Sequence, residues 1–266
     1  MAFGGPLRIT VLGSGTSVGV PTIGCQCPVC RSPDSRDKRL RPSILVTYAG
    51  RNVLIDTSPD FRAQALRAGF RTLDAVLYTH AHADHILGLD DVRPFNYGRA
   101  DQIPIYARPD ALATIKRIFK YVFEETDHLG TVPRLAAFPI EDGGVELFGL
   151  RFLPVPVLHG QRTIIGFRFG RAAYLTDHSD IPAESLGLLE GLEVLFLDAL
   201  RDAPHPTHST VERSLEWVRR LRPARAYFTH ICHDLGHQET NRRLPSHVQL
   251  AYDGLEIEVQ AAGGEQ

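Results

Sequence analysis

The chain has 266 residues, of which 43% are hydrophobic and 23% charged, an ordinary globular balance with enough length to bury a full core unaided. Lys and Arg number 29 and Asp and Glu 31, and a net charge of −2 argues against a protein that coats nucleic acid or an anionic membrane. No run of about 18 apolar residues could span a membrane, and Met1–Arg8 lacks the pattern of a secretory signal, so a cytoplasmic location is expected.

Short apolar runs of strand type recur along the chain. Leu7–Leu12 is the first and leads into Gly13-Ser14-Gly15-Thr16, after which Pro21–Pro33 reads as a Cys/Pro/Gly loop. Ser43–Tyr48 and Arg51–Asp56 form two strands about a turn at Ala49-Gly50. Phe61–Ala68 is helical, with Gly69 as its C-cap. Ala75–Thr79 and Ile103–Ala107 are strands, and a helix capped by Asp110 runs through Lys120 with Leu112, Ile115 and Phe119 on one face. Further strands follow at Ala136–Pro139, Val145–Leu147, Leu150–Val157, Ile164–Phe169, Ala172–Thr176 and Val194–Leu197. Thr210–Arg220 is an amphipathic helix ended by Pro223, and Ala226–Thr229 and Leu255–Val259 are the last strands. Phe119, Tyr121 and Phe123 make an aromatic stripe that reads as core, with an interface as the alternative. No linker divides the chain, so residues 1–266 are expected to form a single mixed α/β domain with frayed ends at Met1–Gly5 and Ala261–Gln266.

Five of these apolar runs stop at a residue able to bind metal: Val53–Asp56, Val76–His80, Ala173–Asp177, Val194–Asp198 and Ala226–His230. Buried strands that end this way line up their polar groups along one sheet edge, where rigid elements hold a metal at little ordering cost. The chain contains 12 histidines, and His is the commonest metal ligand. Four ligand-type side chains fall within His80-Ala81-His82-Ala83-Asp84-His85, an H-x-H-x-D-H turn dense enough to serve two ions. The four cysteines include Cys25, Cys27 and Cys30 in a C-x-C-x-x-C arrangement, three thiolates that could hold one tetrahedral zinc given a fourth ligand.

The H-x-H-x-D-H turn resembles the signature of the metallo-β-lactamase superfamily. The other superfamily elements occur in order: Asp56 after an early strand, then His159, Asp177 and His230. The resemblance implies an α/β (α+β) fold, the αββα sandwich of two mixed β-sheets flanked by helices. It also implies that one metal takes His80, His82 and His159, the other Asp84, His85 and His230, and that Asp177 bridges them. Asp56 would orient a ligand His from outside the coordination sphere. Such nitrogen and oxygen donors suit Zn²⁺, Mn²⁺ or Fe²⁺.

Within that superfamily the chain resembles the PhnP-type phosphodiesterases, which carry the early Cys loop. Their fourth zinc ligand is a His three positions after the last metal-binding His, which is His233 here, with Cys232 beside it as the alternative. His208-Ser209-Thr210 resembles the H-S-T element of the tRNA 3′-processing relatives, making His208 the candidate general acid and His205 its competitor. Asp84 would orient the nucleophile as well as bind metal.

The resemblance therefore implies two catalytic divalent metals, Zn or Mn, and one structural zinc. The implied reaction is hydrolysis of a small, cyclic phosphodiester by a hydroxide bridging the two metals, as in a phosphoribosyl cyclic phosphodiesterase. The expected partners are a small-molecule substrate and a second copy in a homodimer, with no membrane. Nucleic acid is disfavoured because only Gly160–Thr176 separates His159 from Asp177, leaving no room for a tRNA-binding arm. The competing readings are a tRNA 3′-processing endonuclease and a protein of PQQ biosynthesis with the same fold. Lactone or thioester hydrolysis and a zinc-stabilised binding protein stand further off.

Overall fold

The computed structural model describes residues 6–124 and 131–260, so both segments expected to fray lie outside the described residues. In chain order the first strands are β1 (Pro6–Gly13), β2 (Ser43–Tyr48), β3 (Arg51–Ile55), β4 (Ala75–Leu77), β5 (Ile103–Ala107) and β6 (Leu135–Pro139). Among them lie the helices α1 (Phe61–Ala68), α2 (Ala83–Ile86), α3 (Pro109–Ile118) and α4 (Lys120–Phe123). There follow β7 (Val145–Leu147), β8 (Leu150–His159), β9 (Arg162–Phe169), β10 (Ala172–Leu175) and β11 (Val194–Asp198). Then come α5 (Val211–Leu221), β12 (Arg225–Thr229), α6 (His237–Arg243), β13 (Val248–Leu250) and β14 (Glu256–Gln260).

Two seven-stranded sheets result, with orders β14-β1-β2-β3-β4-β5-β6 and β13-β12-β11-β10-β9-β8-β7. Each is mixed, antiparallel on one side and parallel through β3–β6 in the first and β10–β13 in the second. Most strands are apolar on both faces because both faces are covered. Successive side chains point to opposite faces, so Ile44 and Val46 enter the layer between the sheets while Leu45 turns outward. The inner layer joins Ile9, Val46 and Leu77 of the first sheet to Phe167, Tyr174 and Phe196 of the second. Outside the first sheet, Phe61 of α1 and Leu112 and Ile115 of α3 pack on Leu54 and Val76. Outside the second, Trp217 and Val218 of α5 cover Leu195, Leu197 and Phe228. This is the αββα sandwich that the motif implied.

Several boundaries differ from the sequence reading for local reasons. Pro109 opens α3, since proline presets the helical φ and lacks a donor the first turn could not use, and Asp110 therefore lies within the first turn. The helix breaks at Phe119 (φ −101°, ψ 42°), and Lys120 begins α4. Strand β4 stops at Leu77 because the Thr79 amide is taken by the Asp56 carboxylate. The Thr210 hydroxyl caps α5 by accepting from the Arg213 amide, and Arg222, in a left-handed conformation, ends it before Pro223. Of the aromatic stripe, Phe119 is buried, Phe123 packs on the core edge, and Tyr121 is exposed with its hydroxyl donating to Asp90 (2.6 Å). Helix α6 and strand β13 carry too few apolar residues to stand out in the sequence.

Candidate metal centre

The parallel strands of both sheets bring their carboxyl ends to one edge, the side on which open α/β sheets place ligand sites. There β3 delivers Asp56, β4 delivers Thr79 and His80, β10 delivers Asp177, β11 ends on Asp198, and β12 delivers His230. The turn from β4 into α2 adds His82, Asp84 and His85, and the end of β8 adds His159. Asp56, Asp177 and His230 all have left-handed backbones (φ 66°, 56° and 57°), which turn each side chain sharply off its strand.

The donors fall into two groups of four. His80, His82, His159 and Asp177 each offer an atom within 4.8 Å of the others, and so do Asp84, His85, Asp177 and His230. Asp177 belongs to both. His85 Nε2 lies 3.3 Å from Asp84 Oδ2 and 3.3 Å from Asp177 Oδ1. His230 Nε2 lies 3.6 Å from Asp84 Oδ2 and 3.4 Å from Asp177 Oδ1, and His80 Nε2 lies 3.8 Å from Asp177 Oδ2. Bond lengths of about 2.1 Å to zinc put neighbouring donors on a tetrahedron about 3.4 Å apart, so this spacing suits a shared coordination sphere.

The nitrogens and oxygens facing this point are buried and unsatisfied. His80 Nε2, Asp84 Oδ2, His85 Nε2 and His230 Nε2 have no hydrogen-bond partner among the described residues. Orphaned buried polar atoms are costly, and four facing the two adjoining donor groups fit bound cations. The electrostatics agree. Burial alone would raise the Asp84 carboxyl, but His85 and His230 hold it well below the usual range. Burial and the neighbouring His85 keep His80 neutral, the form that ligates.

The far sides of the rings are held by protein. Asp56 Oδ2 lies 2.7 Å from His85 Nδ1 and accepts from the Thr79 hydroxyl at 2.8 Å, while Oδ1 accepts from the Thr79 amide at 2.8 Å. The same hydroxyl lies 3.0 Å from His80 Nδ1. One carboxylate thus reaches a histidine of each donor group, His85 directly and His80 through Thr79. His159 Nδ1 meets the Thr207 carbonyl at 2.8 Å.

His208 lies against this cluster, its ring 4.9 Å from that of His159 and 4.6 Å from that of His230. Its Nδ1 is 2.8 Å from Asp198 Oδ2, and burial, with His230 next to it, lowers the imidazole to about 4. His205 sits one ring further out, 5.0 Å from His208, its Nδ1 near the Thr207 hydroxyl. Thr79 and Asp198, which touch the rings of this cluster, are positions the sequence reading left without a role. Asp198 carried the strand-end signal, but its partner lies ten residues away, across a loop. Between His159 and Asp177 the chain forms the short hairpin of β9 and β10 and nothing larger.

The cysteine loop forms a second centre. His233 Nδ1 lies 3.2 Å from Cys25 Sγ and 3.5 Å from the Sγ atoms of Cys27 and Cys30. Hydrogen bonding by Cys30 holds the Cys27 thiol down to about 7, whereas burial pushes Cys30 up to about 11. Cys232 lies outside this group. Its Sγ accepts from the Asp234 amide, and burial pushes its thiol up to about 12. Arg39, fully buried, ties the loop to the end of β12: its guanidinium donates to the Cys232 carbonyl (2.8 Å) and the Leu235 carbonyl (2.6 Å) and pairs with Asp37 (3.1 Å). Among the described residues no helix is long and apolar enough to cross a membrane.

Known proteins are similar to this chain. A crystal structure described as a new diphosphatase from the PhnP family is 52% identical, with a TM-score of 0.92, covering 97% of this chain and 99% of that one. An octanoyltransferase of Porphyromonas gingivalis is 41% identical over 261 residues, 97% of this chain, which spans 52% of that relative's length. Zinc-bound PqqB from Methylobacterium extorquens, 20% identical with a TM-score of 0.75 over 95% of this chain and 100% of that one, shares the fold. Residues 51–231, more than half of the chain, match the model of the β-lactamase superfamily domain. The chain therefore belongs to the β-lactamase superfamily, a hydrolase fold with His/Asp clusters suited to divalent metal, and resembles its PhnP branch.

Proposed function

We propose that the protein is a binuclear metal-dependent hydrolase that cleaves a small phosphodiester at phosphorus, with a cyclic phosphodiester as the first candidate substrate. The observation that carries this reading is the pair of four-donor groups sharing Asp177, with His208 against them. His80, His82, His159 and Asp177 would hold one divalent ion and Asp84, His85, Asp177 and His230 the other. Two such ions supply a hydroxide nucleophile at neutral pH and neutralise charge on the phosphoryl oxygens.

The chain's own groups do the rest. Asp84, whose Oδ2 is buried and unsatisfied, would orient the nucleophile by accepting a hydrogen bond from it. Asp198 fixes the His208 ring through Nδ1, which leaves Nε2 to protonate the leaving oxygen or bond a phosphoryl oxygen. An anionic substrate raises the ring's proton affinity as it binds, countering the burial that lowers it in the free protein. Cys25, Cys27, Cys30 and His233 would hold a structural zinc, with Arg39 joining that loop to the strand that carries His230.

A second reading, cleavage of a P–O–P linkage, is favoured by the PhnP-family diphosphatase at 52% identity. It needs the same groups and differs only in the leaving oxygen. This chain spans 52% of the octanoyltransferase's length, so that protein's name is not carried over to this chain. Metal analysis combined with hydrolysis of bis-p-nitrophenyl phosphate, a 2′,3′-cyclic nucleotide, ribosyl cyclic phosphate and a dinucleoside diphosphate tests both readings. Two ions bound in the His/Asp cluster without turnover of any of these would overturn the reading.

A further inference from the structure

A cavity of about 390 Å³ lies between α6, β13 and the turn at Ser35–Asp37, large enough for a small molecule. None of its lining residues belongs to the His/Asp cluster or to the cysteine centre. His237 and Asn241 line it from α6, Arg36 from the turn, and Tyr252 from the segment after β13. Leu244, Val248 and the Tyr252 ring give it an apolar side, and that ring stands edge-on to His237 at 5.6 Å.

His237 is 3% exposed, and its Nδ1 has no hydrogen-bond partner among the described residues. The hydrogen on this ring can be placed from its neighbours. Asn241 Oδ1 accepts from the Leu250 amide at 2.8 Å, so Asn241 Nδ2 faces His237 Nε2, 3.0 Å away, and donates to it. Burial, with Arg36 and Arg39 close by, keeps the imidazole neutral. Its one hydrogen therefore sits on Nδ1, a buried donor without an acceptor, which native folds rarely leave. Arg36 brings a second free donor. Its Nε and Nη2 fork onto the two oxygens of Asp34 at 3.0 and 2.9 Å, and Nη1 has no partner among the described residues. Among those residues no carboxylate lines the cavity.

We infer that this cavity is a second ligand site, separate from the metal cluster, which takes a small organic carboxylate through His237 Nδ1 and Arg36 Nη1. A carboxylate carries two acceptor oxygens and no donor, so one group can satisfy both N–H groups. The charge of Asp34 offsets that of Arg36, so the site lacks the positive surplus that a dianionic phosphate calls for and suits a single negative charge. A neutral amide would turn its own N–H₂ toward one of the two donors. The inference uses none of the groups assigned to phosphodiester cleavage and does not depend on that reading.

The test is a fluorine NMR titration of the metal-loaded protein with para-fluorobenzoate and para-fluorobenzamide at neutral pH. The wild type is expected to bind the carboxylate saturably and about tenfold or more tightly than the amide. His237→Gln keeps a polar group opposite Asn241 and removes the donor at Nδ1, and Arg36→Gln, at a half-exposed position, removes the guanidinium. Each should weaken para-fluorobenzoate by about tenfold, with the fold checked by circular dichroism. His237→Asn, whose amide nitrogen takes the place of Nδ1, should recover most of the loss seen in His237→Gln. No saturable binding by the wild type, or equal binding of acid and amide, overturns the site. Affinities that Arg36→Gln and His237→Gln leave unchanged, as binding at the metal ions would give, overturn it as well, and so does a His237→Asn protein as weak as His237→Gln.

Discussion

Thr79 joins the two donor groups, and its hydroxyl can be removed almost without change of shape. Thr79→Val keeps the branched side chain and deletes one oxygen. That oxygen donates to Asp56 Oδ2 at 2.8 Å and lies 3.0 Å from His80 Nδ1, all three groups being buried. With Nδ1 carrying the hydrogen, His80 directs the Nε2 lone pair into the cluster, so the hydroxyl fixes both the tautomer and the ring angle. The valine variant strands one buried donor on His80 and one acceptor position on Asp56, and each unsatisfied group costs about 1–3 kcal/mol. His85 keeps its direct 2.7 Å contact with Asp56, so the donor group containing His80 should suffer more than the one containing His85.

The expected result is a loss of about 10–100-fold in affinity for one of two ions, read by chelator competition with metal analysis. The metal-free protein should melt about 4–11 °C lower. Thr79→Ser, which keeps the hydroxyl, should recover most of both. A valine variant that holds two ions as tightly as the wild type, with an unchanged melting temperature, would refute the bridging role of Thr79.

Other perturbations probe separate parts of the site. His208→Ala should lower kcat by about 10²–10⁴-fold with full metal content, and Asp198→Asn should lower it less; an unchanged rate in His208→Ala removes that residue from the reaction. Cys27→Ser should cost one zinc per chain and lower the melting temperature while the His/Asp cluster keeps its ions, which metal analysis on the purified variant will show. Arg39→Leu leaves Asp37 and the carbonyls of Cys232 and Leu235 without their buried partner, so denaturant unfolding should report a loss of about 3–5 kcal/mol. His237 is buried, and burial together with Arg36 and Arg39 lowers its imidazole to about 4. A histidine held neutral in the fold stabilises fully above its unfolded value of about 6.5 and loses that stability as pH falls toward 4, a loss of about 2 kcal/mol at pH 5. Denaturation of the wild type and His237→Gln at pH 7.5 and pH 5 should show the wild type losing more by that amount, and parallel losses would count against it.

The donors of the candidate centre were legible wherever a signal was local. His80 to His85 lie in one turn, and Asp56, Asp177 and His230 each end an apolar run, so a pattern in one dimension carried them. Helix α3 was visible in its apolar face, although Pro109 moved its start. Groups whose role depends on folding were not legible. Thr79 stood inside the motif without a task because its partner Asp56 lies 23 positions earlier. Arg39 looked like any surface arginine until Cys232 and Leu235 folded onto it.

The left-handed backbones of Asp56, Asp177 and His230 explain why strand ends can build such a centre at all. A strand continued in extended form would send alternate side chains to opposite faces, and ligands from two sheets would not converge. Turning φ positive one or two residues past the strand swings the side chain over the sheet edge, at a cost of about 1–2 kcal/mol for each non-glycine residue. Glycine would relieve that cost but would supply no ligand. The strain is confined to residues whose side chains are the reason for it, and the flanking buried strands, with Leu54, Leu175 and Phe228 in the cores, hold it in place. The sequence marks these positions by their ligand chemistry and not by a glycine, and Asp and His enter this backbone more readily than most non-glycine residues.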